Sequence, residues 1–60
     1  MRDLETSQSI VIADSHAIVR EGIRDRLENH SDMNVVAEAN DGYSALKACR
    51  EFLPSVLLMD

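Results

Sequence analysis

The sequence predicts an α/β protein, specifically a β-α-β-α-β stretch of a doubly wound parallel sheet. Three observations predict it. Two apolar runs, Ile10-Val11-Ile12-Ala13 and Val56-Leu57-Leu58-Met59, each lead straight into an aspartate, Asp14 and Asp60. Uninterrupted apolar strands belong to sheets covered on both faces, where the alternation of polar and apolar residues is lost. The segments between the runs carry helical period, and strands alternating with helices build parallel sheets through right-handed crossovers. A carboxylate at the end of such a strand stands at the rim where open α/β sheets hold their ligands.

In chain order, residues 1–8 are polar and read as a flexible leader. Ile10 to Ala13 form the first strand. Asp14 and Ser15 make the turn, and either residue type suits the N-cap of the helix that follows, over about residues 16–29. At about 100° per residue, Ile18, Val19, Gly22, Ile23 and Leu27 share one arc, with Arg20, Glu21, Arg24, Asp25 and Glu28 opposite. Arg26 falls inside the apolar arc, where its stem can lie on apolar surface while its head reaches water. Asn29-His30-Ser31-Asp32 is a polar break, and Met33 to Ala39 reads as the second strand. Asn40-Asp41-Gly42 is a turn in which Asp41 is suited to cap the second helix, over about residues 43–53. Ala45, Leu46, Ala48, Cys49, Phe52 and Leu53 form its apolar stripe. Pro54 ends that helix and biases Leu53 toward extended backbone, and the third strand follows.

Composition narrows the function classes. Sixty residues make at most one small domain, of a size that buries only about 60% of its unfolded surface. Eleven acids against six bases leave a net charge of −5, which argues against binding nucleic acid or an anionic membrane with this segment alone. Cys49 is the only cysteine, so the chain has neither an internal disulfide nor a cysteine metal cluster. The first eight residues lack the apolar core of a signal peptide. No apolar run approaches the roughly 20 residues of a membrane-spanning helix. A cytoplasmic location is the simplest expectation.

Four stretches in register resemble the first half of a receiver domain. They are Ile12-Ala13-Asp14-Ser15-His16, Val19-Arg20-Glu21-Gly22-Ile23, Val35 through Gly42, and Leu53 through Asp60. The resemblance spans residues 9–60 and is to response regulators of two-component systems, of the NarL/FixJ (LuxR-type) class, whose output is a helix-turn-helix DNA-binding domain. It implies a flavodoxin-like (CheY-like) sheet of order 2-1-3-4-5, here incomplete, in which the ends of strands 1 and 3 converge. It further implies that Asp60 is the phosphoacceptor, receiving a phosphoryl group from a sensor histidine kinase as a carboxylate nucleophile. Asp14 and Asp60 are the implied Mg²⁺ ligands, because that cation takes oxygen donors and neutralises a transferring phosphoryl group. The implied role is signalling rather than enzymatic, with DNA bound only through a separate C-terminal domain.

Two departures stand against the family pattern. Members carry two adjacent acids after the first strand, whereas here Ser15 replaces the second, so Mg²⁺ affinity is expected to be weakened or lost. The remaining conserved site parts of the family, and its DNA-binding helices, would follow residue 60, so the chain reads as a partial receiver domain. An apolar third strand at a sheet edge also invites pairing with another chain, and self-association is expected. The alternative reading is a degenerate receiver that works as a phosphorylation-independent protein-interaction module. His16 reads as turn packing rather than a ligand, His30 as a solvated loop residue, Cys49 as a small buried hydrophobe, and Asp41-Gly42 as turn chemistry.

Overall fold

The computed structural model describes residues 7–59. The leader read over residues 1–8 therefore lies outside the described part except for Ser7 and Gln8, and Asp60 lies outside it altogether. Five elements alternate: β1 (Gln8–Ala13), α1 (Ala17–Glu28), β2 (Met33–Ala39), α2 (Gly42–Phe52) and β3 (Val56–Met59). β1 starts at Gln8, ahead of the Ile10 start that apolar character alone suggested, because its ladder with β2 runs back to a Gln8–Met33 pair. Backbone pairing, unlike burial, does not require an apolar side chain.

The sheet has the order β2-β1-β3, and both pairings are parallel. β1 is central and carries the core: Ile10, Val11, Ile12 and Ala13 are all buried, with Val11 and Ile12 fully so. A strand flanked on both edges and covered on both faces has no exposed side, which is why its apolar run shows no alternation. Between Ile10 and Val11 the register with β2 slips by one residue, so Ile10 pairs with Val35 and Val11 with Ala37, and Val36 has no partner on β1. Such a bulge reverses which face the downstream residues occupy. Ile12 then pairs with Glu38, and Ala13 with Ala39.

The two helices lie on opposite faces of the sheet. Ala39 clusters with Ala13 and with Ala45 of α2. Its neighbour Glu38, on the other face by the two-residue period of a strand, is bonded by Arg20 and Arg24 of α1.

The helix ends depart from expectation at two points. Neither Asp14 nor Ser15 caps α1; the N-cap is His16, which makes no side-chain capping bond. Asp14 instead accepts from the His16 N–H before the helix begins. Leu53 is not extended but left-handed, with φ 47° and ψ 58°, and its N–H closes α2 on the Cys49 carbonyl at 2.9 Å. Proline disfavours the right-handed helical basin in the residue before it, and the left-handed basin satisfies that restriction while still satisfying an end carbonyl of the helix. The expected Asp41 cap of α2 is present.

The predicted helix stripes are only partly covered. Ala45 and Ala48 of α2 are buried and Cys49 is half-buried, but Leu46, Phe52 and Leu53 remain exposed, as do Ile18 and Val19 of α1. Arg26 is exposed in the last turn of α1, where its charge suits the carbonyl end of the helix. No helix among the described residues is long and apolar enough to cross a membrane.

Candidate functional site

The site forms where β1 and β3 end together. The parallel register pairs Ala13 with Met59, the last described residues of the two strands before their aspartates. Asp14 extends the ladder by one step, its N–H donating to the Ala39 carbonyl at 3.0 Å. Among the described residues it is the one charged member of the buried set, at 9% exposure. A cleft of about 140 Å³ opens at this rim, lined by Asp14, Ser15, Asn40, Asp41, Gly42 and Met59 among others. The turn after β1, the turn after β2 and the end of β3 thus contribute to one concavity, the position that open α/β topology favours for ligands.

Asp14 is held at three points. The backbone N–H of His16 donates to its Oδ1 at 2.8 Å. The His16 ring meets the same oxygen through Nδ1 at 2.9 Å, and since a carboxylate only accepts, the ring is the donor. The Arg20 guanidinium donates through Nη1 to the Asp14 carbonyl oxygen at 2.5 Å. Arg20 is itself seated by Glu38, Nε to Oε1 at 3.3 Å, while Arg24 Nη1 takes Oε2 of the same carboxylate at 2.6 Å. The hydrogen bond from the His16 backbone, then that from its ring, lowers the Asp14 carboxyl below its ordinary 3.8 against the opposing effect of burial, with the Arg20 charge adding a smaller push. Asp14 is therefore ionised at neutral pH.

The other carboxylate of the cleft is committed to the fold. Asp41 Oδ1 accepts from the Ser44 hydroxyl at 2.6 Å and from the Ser44 N–H at 2.8 Å. These two bonds lower its carboxyl as well. Asp41 is thus both turn residue and helix cap, as its place in the sequence suggests. Ser15 is exposed, with its hydroxyl 3.4 Å from the His16 ring nitrogen. His30 is exposed in the loop before β2. Asp60 follows Met59 and lies outside the described residues. Among the described residues, no three metal-binding side chains of the His, Cys, Asp and Glu types cluster.

Sequence reasoning missed Arg20, Glu38 and the bonding role of His16. Arg20 and Arg24 have the four-residue helical spacing that places two side chains on one face, and Glu38 is the only charged residue of β2. That pattern was available as a signal, but nothing local shows that the arginines and Glu38 meet.

Comparison with known proteins accords with this geometry. No family model matches the chain. The oxygen regulatory protein NreC of Staphylococcus aureus strains JH9 and JH1 is 53% identical over 51 residues, covering 85% of this chain and 24% of NreC. The solved structure of the signal receiver domain of the response regulator NarL from Mycobacterium tuberculosis superposes with a TM-score of 0.87 at 39% identity, over 90% of this chain and 44% of that one. The chain is homologous to the first part of a NarL-type receiver domain. It spans about a quarter of the length of the NreC relatives and less than half of the NarL structure. Its three parallel strands and two helices are accordingly part of a flavodoxin-like sheet, of which the order 2-1-3 is present here. In this sheet the rim beside Asp14 is the switch point at which strand order reverses about β1.

Proposed function

We propose that this chain is the receiver portion of a two-component response regulator, in which Asp60 accepts a phosphoryl group from a sensor histidine kinase. The observation that carries the reading is the pairing of Ala13 with Met59, which ends β1 and β3 at one rim where Asp14 is buried and ionised. An oxygen of the Asp60 carboxylate attacks phosphorus, a P–O bond forms, and the bond from phosphorus to the donor imidazole breaks as that ring leaves with the electron pair. The product is an acyl phosphate. In the full-length protein, the added charge biases a two-state surface and so controls a DNA-binding output carried by a separate domain. Such a protein works in the cytoplasm.

A divalent cation fits the donors in part. Asp14 is anionic and has an oxygen, Oδ2, with no hydrogen bond among the described residues. Asp14 and Asp60 would hold Mg²⁺, which supplies charge neutralisation to the transferring group. Ser15 offers a neutral hydroxyl where a second carboxylate would bind more tightly, so Mg²⁺ would be held weakly.

Ser15 favours a second reading, a degenerate receiver that serves as a phosphorylation-independent interaction module, with the apolar β3 edge open to self-association. One experiment separates the two. The full-length protein is incubated with acetyl phosphate and Mg²⁺, and intact mass is followed. A hydroxylamine-labile phosphoryl adduct that Asp60→Asn abolishes is the expected result. No adduct on the wild type, with one appearing in Ser15→Asp, would overturn phosphoacceptance and support the interaction module.

A further inference from the structure

We propose that His16 is a positioning residue for the cation site, holding Asp14 by its Oδ1 so that Oδ2 is the oxygen left for the metal. The inference rests on the reading of Asp14 as a cation ligand and deepens it.

The geometry is specific to one oxygen. Both the backbone N–H and the ring Nδ1 of His16 converge on Oδ1, at 2.8 and 2.9 Å, while Oδ2 has no hydrogen bond to any described residue. Two donors on one oxygen fix the carboxylate against rotation about its terminal bond, a torsion that is otherwise broad. The ring is not there to fill a core, because the His16 side chain is 69% exposed whereas that of Asp14 is 8% exposed. An exposed imidazole that spends a ring nitrogen on a buried carboxylate has little packing reason to be there. The Arg20 bond to the Asp14 carbonyl fixes the main chain of the same residue, so side chain and backbone are both held, by the N-cap of α1 and by the turn that follows it. Outer partners of this kind orient a metal-binding carboxylate and raise its affinity without touching the ion. The device matters more here than beside two acids, since Ser15 contributes no second negative charge to compensate for a misoriented Asp14.

The test compares His16→Leu, which removes the ring donor, with His16→Asn, whose amide nitrogen can reach the same oxygen as Nδ1. Mn²⁺, serving as a spectroscopic stand-in for Mg²⁺, is titrated into the full-length protein and free ion is read by electron paramagnetic resonance. Circular dichroism melts of each variant check that it remains folded at the temperature of the titration. Loss of the outer partner is expected to weaken Mn²⁺ binding by about 10-fold in His16→Leu, with most of the affinity regained in His16→Asn. Equal affinity in all three proteins would overturn the positioning role while leaving the cation site intact. Equal weakening in both variants would also overturn it, since the donor would then not be what matters. A wild type that binds no Mn²⁺ would overturn the cation site itself, and the positioning role with it.

Discussion

α1 and α2 pack on opposite faces of the same three strands, yet they are attached by different chemistry. α2 is seated by small residues: Ala45 and Ala48 are buried, and Ala45 meets Ala13 and Ala39 at 1–5% exposure. Its first turn is capped by Asp41. α1 has no buried residue and no side-chain cap. It is tied down by Arg20 and Arg24 on Glu38, and its Val19 and Ile23 line an open apolar groove of about 440 Å³ that they share with Ile12 and Leu58. Alanine permits close approach and then tolerates no enlargement, whereas an ionic tether at the surface holds a helix without close packing. Helical period places Ala45 and Ala48 of α2 correctly toward the sheet, but on α1 it assigns Arg20 and Arg24 to the outer arc although both reach Glu38, while Ile18 of the apolar arc is left exposed.

Enlarging the tight contact should break the comparison most visibly. Ala45→Leu adds volume where α2 meets β1 and β2, and overpacking of this kind costs about 1–3 kcal/mol. Ile18→Ala in α1 should stay within about 0.5 kcal/mol, because Ile18 is 84% exposed. Urea unfolding followed by circular dichroism reads both, and equal losses would show that the helices are held alike.

The next largest effect concerns the capped start of α2. Asp41→Ala should lower the melting temperature by roughly 4–8 °C, as loss of an N-cap does in a small domain, and Asp41→Asn should restore most of it. The cap is also acid-sensitive. The Ser44 hydroxyl and N–H hold the Asp41 carboxyl below 3.8, so the folded state binds fewer protons than the unfolded one. Its stabilisation is complete above 3.8 and is lost as pH falls through the lowered folded value. Asp14 contributes with the same sign. Thermal melts in an acid series should show this loss blunted in Asp41→Asn.

The smallest effect belongs to the tether of α1. Glu38→Gln should cost less than about 1 kcal/mol, and added salt should narrow the gap to the wild type because the pairs lie near the surface. The Ala45→Leu deficit should be indifferent to salt. A salt-insensitive Glu38→Gln would show that Glu38 acts through packing rather than charge.

Much of this was legible in the chain. Element order followed from the unbroken apolar runs of β1 and β3 and the helical period between them, and β2 was bounded correctly at Met33 and Ala39. Asp41 was recognisable as a cap because Asn-Asp-Gly turns before an apolar-periodic stretch have few other uses. Asp14 was legible as a rim carboxylate from its place after a buried strand. The left-handed Leu53 was not legible, since proline restricts its neighbour without choosing which remaining basin is used.

What the sequence determined by itself is local: which segments become strand or helix, which arc of each is apolar, and that Asp14 follows directly on a buried strand. Only the tertiary structure decided the rest. Glu38 reaches Arg20 and Arg24 because a one-residue slip near Val36 sets it on the α1 face, and without that slip it would pair with Ala13 on the face of α2. Asp14 is held by His16 and by Arg20 because α1 starts just after it and runs back along β2. These contacts depend on register and helix placement, which arise when the whole sheet assembles and which no stretch of residues encodes alone.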